Sequence, residues 1–308
     1  GALQASGTGS NGFNAIDNPG NFSYDPDRDG YRSRSLAANG RVDWAPGQSL
    51  RAQYFRSRLD AQYDGGDAFD DRTITTLESY GIDSVNALTP AWTSRLTAGE
   101  GGDDSVSKTG GGDFPFRTRQ RQFAWQNELD VHALLSAWSV TRAVATLGVE
   151  RRQERIDGDD AFAVTSRDTN AVFGAWQMGA GAHALQANLR HDDSSQFGSR
   201  TTGAIAWGYR PTPAWRVTAS YGTAFKAPTF NDLYFPGFSN PALVPERARN
   251  VEGGAYWNGA FGGARLDASI VGYRNRLDDM ILFVCDADFN CAPQNVEHAT
   301  ITGATLAA

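Results

Sequence analysis

Residues 214–222 read Ala214-Trp215-Arg216-Val217-Thr218-Ala219-Ser220-Tyr221-Gly222, and their alternation decides the fold class. Successive side chains on a strand point to opposite faces, so Trp215, Val217, Ala219 and Tyr221 share one face while Arg216, Thr218 and Ser220 share the other. The period recurs along the chain. In 184–192, Leu185, Ala187 and Leu189 oppose Gln186, Asn188, Arg190 and Asp192. In 36–44, Leu36, Ala38, Gly40, Val42 and Trp44 oppose Asn39, Arg41 and Asp43, and in 265–272 Leu266, Ala268, Ile270 and Gly272 oppose Arg265, Asp267 and Ser269. A polar face this rich in Arg, Asp, Gln and Asn suits the solvent side of a soluble sandwich or a water-filled lumen. Length separates the two: the segments 31–45, 115–131, 138–155 and 264–284 exceed the soluble mean of about 5–6 residues. They suit tilted membrane strands of about 9–11 residues that continue past the bilayer.

Two kinds of connection alternate between these segments, as they do in outer-membrane barrels, which have short turns at one rim and long loops at the other. The short ones are Pro46-Gly47-Gln48, Gly179-Ala180-Gly181, Pro211-Thr212-Pro213 and Phe261-Gly262-Gly263. The long ones cover roughly 11–30, 61–71, 99–113, 226–247 and 285–292, with 157–162 and 194–199 as shorter members. Trp44, Trp207, Tyr209 and Trp215 lie beside short turns, where an interfacial aromatic girdle belongs. About fourteen strand segments result. The expectation is an all-β, transmembrane antiparallel β-barrel, cut at both ends, because lipid-facing strands must close to satisfy their backbone groups.

The remaining bulk properties narrow the function. At 308 residues the chain holds no run near the roughly 20 apolar residues of a spanning helix. A net charge of −7 without a basic cluster argues against nucleic acid as partner. The chain opens on Gly1-Ala2-Leu3 without a leader, so any export signal is expected upstream. Its two cysteines, Cys285 and Cys291, suit a small loop disulfide in an oxidising compartment, two free thiols being the alternative. His132, His183, His191 and His298 have no serine in a nucleophile motif beside them and no GxSxG occurs, so catalysis is not expected. A porin or adhesin barrel is a further reading that the long loops allow.

One region is more specific. It contains Arg190-His191-Asp192-Asp193-Ser194-Ser195-Gln196-Phe197-Gly198 and then Ala219-Ser220-Tyr221-Gly222-Thr223-Ala224-Phe225-Lys226-Ala227-Pro228. Asp232-Leu233-Tyr234, Asn240-Pro241-Ala242-Leu243-Val244-Pro245-Glu246 and Glu252-Gly253-Gly254 follow. This order resembles the barrel of TonB-dependent outer-membrane receptors. The Asp-Asp-Ser-Ser-Gln-Phe-Gly wording and the aspartate-rich early loop look most like the cobalamin receptor branch, as does Gly272-Tyr273-Arg274-Asn275-Arg276-Leu277-Asp278-Asp279-Met280-Ile281. Residues 61–114 match poorly. The resemblance implies that 1–308 is part of a barrel of about 22 strands, with the plug domain and the C-terminal strands outside it. It implies bacterial outer-membrane residence among lipid and lipopolysaccharide. Uptake of cobalamin would be driven by the TonB complex through a missing N-terminal region, with an iron-siderophore or other nutrient as the alternative cargo.

Two loops could carry chemistry. Asp25-Pro26-Asp27-Arg28-Asp29-Gly30 matches the opening of an EF-hand loop, with oxygen ligands at alternate positions, but Leu36 stands where the bidentate Glu belongs. The cobalamin receptors resembled here use aspartates of this loop for calcium, so Asp25, Asp27 and Asp29 are candidate ligands. Asp60 and Asp64 in the next loop are weaker ones, since Arg56 and Arg58 intrude. A solvated acidic turn is the alternative. The 226–247 loop offers Phe230, Tyr234, Phe235 and Phe238 with Asn231 and Asn240, a mix suited to a large amphipathic ligand or to packing on the barrel rim. Asp192 and Asp193 are expected to accept backbone N–H bonds at a strand end, and Lys226 to be structural.

Overall fold

The computed structural model describes residues 1–66 and 69–308, and all of their side chains but those at 136–138 and 261. The strands are β1 (Ala2–Ser10), β2 (Tyr31–Ala45), β3 (Gln48–Gln62), β4 (Arg72–Thr89), β5 (Trp92–Thr109), β6 (Gly112–Asp130) and β7 (Val140–Gly158). They continue with β8 (Ser166–Ala180), β9 (His183–Ser194), β10 (Gly198–Thr212), β11 (Trp215–Lys226), β12 (Glu246–Phe261), β13 (Ala264–Cys285) and β14 (Cys291–Ala307). All fourteen lie in one sheet in chain order, without a crossover. The one α-helix among the described residues is α1 (Phe230–Tyr234).

Short turns at 46–47, 181–182, 213–214 and 262–263 alternate with the connections 11–30, 63–71, 159–165, 195–197, 227–245 and 286–290, as the sequence indicates. Positions 67 and 68 of the second long connection lie outside the described residues. The expected long loop over 99–113 is not there: β5 runs on to Thr109 and turns tightly into β6. Its polar run reads as a loop, yet ladder ion pairs tie it down: Arg121 to Glu100 at 2.6 Å, and Arg119 and Arg117 to Asp104 at 3.2 and 3.4 Å. At the short-turn rim, residues 131–139 form a longer connection than expected, with a 3-10 turn over His132–Trp138.

The chain packs as two compact units, Gly1–Asn86 with Arg95–Ala124 and Arg151–Asp168, and Ala87–Ser94 with Trp125–Glu150 and Thr169–Ala308. In the first, register puts Val42 opposite Leu50, and Gly40 opposite Ala52, which in turn faces Ile82. The other face of the same strands pairs Asn39 with Gln53 and Arg41 with Arg51, and Arg51 with Asp83. In the second, one face carries the row Trp176, Ala187, Ile205, Tyr221 and Val251, while the opposite face carries Gln177, Gln186, Ala206, Ser220 and Glu252.

The apolar rows are the exposed ones. Val42, Leu50, Ile82, Ile205, Tyr221 and Val251 all stand open, whereas the buried apolar residues among the described ones, prolines and glycines aside, are only Val140, Ala143, Ile156, Ala171, Phe230, Leu233 and Leu243. A water-soluble chain of this length inverts that arrangement, because burial of apolar area is its main driving force and large exposed apolar patches are rare. Sheets that face hydrocarbon need no interior of their own. Beside the short turns of the second unit, Trp207 and Tyr209 stack with His183, the His183 and Tyr209 centroids being 4.6 Å apart. Trp207 Nε1 donates to His183 Nδ1 at 3.2 Å. Trp215 lies opposite Trp257. These amphipathic rings belong at a membrane–water boundary.

Candidate functional site

In the first unit, two long loops pack together at the rim. Ile16 N–H donates to Asp64 Oδ2 at 2.9 Å and Ala15 N–H to Asp29 Oδ2 at 2.8 Å. Gln62 N–H donates to the Gly30 carbonyl at 2.9 Å while Gly30 N–H donates to Gln62 Oε1 at the same distance. Two glycines make the approach possible. Gly12 has φ +62° and Gly66 φ +87°, and a Cβ on either would overlap a carbonyl oxygen, of Asp29 and of Phe22 respectively.

This packing gathers Asp27, Asp29 and Asp64, each offering a carboxylate oxygen, within 4.8 Å of one another. Asp64 Oδ1 is buried and has no hydrogen-bond partner. Asp25 stands outside the trio among the described residues, and its main-chain carbonyl accepts from Asn14 Nδ2 at 2.9 Å. Asp60 is held by Arg72 at 3.5 Å instead. Arg72 also pairs with Asp70, whose carboxyl is held below its ordinary range by Gln62 first and by Arg72. Desolvation in the packed loop, and then the charges of Asp25, Asp29, Asp64 and Asp70, push the Asp27 carboxyl above its ordinary range.

A raised pKa in the folded loop means that the folded loop binds more protons than the unfolded one. Its stability therefore falls as pH rises from the ordinary Asp range through the folded value. We expect hydrogen exchange at the Ala15 and Ile16 amides of the calcium-free protein, corrected for intrinsic rates, to show more protection at pH 4 than at pH 7. Equal protection at both values would remove the charge-crowding account. Three hard oxygen donors in one place, one with a bare buried lone pair, have the chemistry of a site for a hard divalent cation, which takes 6–8 oxygens including main-chain and water donors.

The second unit carries the 227–245 loop. Thr229 caps α1 by a reciprocal box, its Oγ1 accepting from Asp232 N–H at 3.1 Å while Asp232 Oδ2 accepts from Thr229 N–H at 2.8 Å. The helix buries Phe230 and Leu233, and Pro228 is fully buried beside it. Of the residues proposed for ligand contact, Tyr234 accepts from Gln196 Nε2 at 2.6 Å through its hydroxyl. Asn240 donates through Nδ2 to the Pro293 carbonyl at 3.1 Å and accepts from Ala242 N–H at 3.0 Å, so its amide is committed to holding the loop on β14. Asn295 completes that clasp, accepting from Val244 N–H at 2.9 Å and donating to the Val244 carbonyl at 3.0 Å. Phe235 closes the helix, its N–H donating to the Asn231 carbonyl at 3.2 Å, and Phe238 stays exposed. Gln196 lies in the Asp-Asp-Ser-Ser-Gln-Phe-Gly stretch but nothing there points to Tyr234, and Asn295 carries no motif that would single it out in sequence.

Cys285 and Cys291 are opposite each other in the β13–β14 register and joined by a disulfide. Within the closed turn Asp286 accepts from Asn290 Nδ2 at 3.0 Å and from the Asn290 and Asp288 N–H groups at 2.9 Å, which holds its carboxyl below the ordinary range. The strand-end aspartates differ from expectation: Asp192 takes the Arg190 guanidinium at 2.9 Å and Asp193 the Ser199 hydroxyl at 3.2 Å, side chains in place of backbone N–H groups. Pairing with Arg190 compensates a carboxylate at Asp192 that is only 4% exposed, and the same guanidinium also reaches Glu150 at 2.7 Å. Lys226 pairs with Glu246 at 3.4 Å.

The family described as TonB dependent receptor-like, beta-barrel matches residues 2–308. The chain is 33% identical over 180 residues to the vitamin B12 transporter BtuB of Vibrio vulnificus, a stretch that is 56% of this chain and 29% of that protein. With the vitamin B12 transporter BtuB of Photobacterium profundum it shares 35% identity over 151 residues, 48% of this chain and 24% of that protein. The structure of the siderophore receptor PirA from Pseudomonas aeruginosa superposes with a TM-score of 0.73 at 19% identity, covering 89% of this chain and 53% of that one.

Proposed function

The chain belongs to the TonB-dependent receptor family, as a portion of its outer-membrane β-barrel, and from that premise we propose that it forms part of the wall of a receptor that takes up cobalamin. The observation that carries the cargo is the 33% identity over 180 residues to a vitamin B12 transporter. The likeness to the siderophore receptor is one of fold at 19% identity, and it makes a ferric siderophore the second reading. Transport in this proposal belongs to the whole receptor: ligand is captured by the long loops, and energy arrives from the TonB complex through a region outside residues 1–308. The work is binding and passage, not catalysis.

Calcium enters the proposal through Asp27, Asp29 and Asp64. A divalent ion there would relieve the repulsion among three clustered carboxylates, satisfy the bare Asp64 oxygen and fix the 11–30 loop against 63–71. Phe238, exposed on the 227–245 loop, is the proposed apolar contact of that loop, with Tyr234 and Phe235 beside it and Asn240 as the loop's anchor.

The test is equilibrium binding of cyanocobalamin to the full-length, detergent-solubilised receptor, with calcium and with chelator, in the wild type and in the pair Asp27→Asn and Asp29→Asn. Expected is tight binding in calcium, weakened roughly tenfold or more by chelator, and by the substitutions even in calcium. Tight binding indifferent to calcium would retain the cargo and remove the ion. A ferric siderophore bound where cyanocobalamin is not would move the receptor to the second reading.

A further inference from the structure

Outward-facing positions of β2 and β3 change character at a definite height. On β2, Trp44, Val42, Gly40, Ala38 and Leu36 carry no charge, and Arg34 is the next residue on that face. The stretch 36–44 is nine residues long, which matches a membrane-crossing strand of about 9–11 residues. Arg34 therefore stands just past the apolar band, on the side of the long loops, which face outward in this family.

Register places Arg58 of β3 directly opposite Arg34, and Arg56 opposite Leu36 one outward position below. Directly opposed side chains have Cβ atoms about 4.5–5.5 Å apart, and like charges in that relation destabilise a sheet. All three arginines are exposed. Neither Arg34 nor Arg58 has an ion pair within 4.0 Å among the described residues. The arginines of β6 differ: Arg121 is matched by Glu100, and Arg119 and Arg117 by Asp104. The space beside the pair is open as well, since Arg34 faces Gly7 on its other side and Arg58 faces Thr76, a small hydroxyl. Glu78 stands opposite Arg56 and accepts from the Tyr54 hydroxyl at 2.7 Å. Among the described residues no acid pairs with Arg34 or Arg58, and their position on the outer rim of the apolar band supplies something that could.

We propose that Arg34 and Arg58, flanked by Arg56, form a binding site for the phosphate of a phosphorylated glycolipid in the outer leaflet. Two opposed guanidinium groups present paired N–H donors to one phosphate, the geometry in which arginine binds oxyanions in bidentate fashion. The lipid's acyl chains lie along Leu36, Val42 and Leu50 below, all exposed, so head and tail are met by one continuous face. The proposal rests on the outer-membrane reading of the chain and goes beyond it in naming where the lipid is held.

The experiment titrates the full-length receptor in mixed micelles with bisphosphorylated lipid A, with the same lipid dephosphorylated, and with inorganic phosphate, read by native mass spectrometry. The variants are the double substitution Arg34→Gln, Arg58→Gln and the single Arg121→Gln. Expected is a loss of roughly tenfold to a hundredfold in affinity for bisphosphorylated lipid A in the double variant, less than about twofold in Arg121→Gln, and equal weak binding of the dephosphorylated lipid by all three. In lipid A-free micelles the double variant should unfold no more easily than wild type, because a repulsion has been removed, which separates loss of the site from loss of the fold. Equal affinity of wild type and double variant would overturn the proposal. So would displacement of lipid A by equimolar inorganic phosphate, which would mark a free-anion site.

Discussion

Arginine at Ile205 is expected to lower the unfolding free energy of the full receptor by about 2–4 kcal/mol in a bilayer, whereas arginine at the adjacent Ala206 should leave it nearly unchanged. Ile205 is 48% exposed and lies midway along the outward run 201–209 of β10, between Ala187 and Tyr221 in register. A guanidinium there meets hydrocarbon with no partner in reach. Ala206 faces Gln186 and Ser220 on the polar side, where water and Glu252 in the same row can receive the charge. The cost falls with distance from the midplane, so Tyr209→Arg beside the short turn should cost about 0–1 kcal/mol. Equilibrium denaturant titration in lipid vesicles measures all three. Equal costs at positions 205 and 206 would mean that the two faces see the same surroundings, and the barrel-wall reading would fail.

Leu233→Ala should have the other large effect, and a local one. Leu233 is 1% exposed, the most buried large apolar side chain of the 227–245 loop, and truncation of such a residue costs about 2–5 kcal/mol. The loop has no strand pairing across most of its length, so this loss falls on the loop's own order. Amide exchange at Asn240, bonded to the Asp232 carbonyl, and at Val244, bonded to Asn295, should quicken roughly thirtyfold or more. Exchange in the β11–β12 ladder should not change. If both regions quicken together, the loop and the sheet open as one, and the loop is not an independently ordered element.

Much of the fold is legible in the sequence because the signals that carry it are local. Alternation from Trp215 to Tyr221 assigns a face to each residue without knowledge of any neighbour, since the strand period of two is a property of one backbone. Pro46-Gly47 and Gly262-Gly263 mark turns for an equally local reason: Gly47, Gly262 and Gly263 all have positive φ. The misreading of 99–113 arose where local composition and pairing disagree. Gly-Gly-Asp-Asp looks like a loop, and only Arg119 and Arg117 on the neighbouring strand show why it is not.

The candidate sites depend on register, and alternation does not fix register, because a slip of two residues between strands returns every side chain to the same face. Thus the sequence alone determined a sheet of long two-faced strands and the rim on which the acidic and aromatic loops lie, and it offered five candidate aspartates, at 25, 27, 29, 60 and 64, without choosing among them. Only the tertiary structure decided that Asp64 joins Asp27 and Asp29 while Asp60 goes to Arg72, and that Asn295 holds Val244 from 51 residues away. It also decided that Arg34 meets Arg58. Each of these is a relation between strands or loops distant in the chain, set by the summed hydrogen bonds of whole ladders and by close glycine contacts such as Gly66 on Phe22, which no single segment encodes.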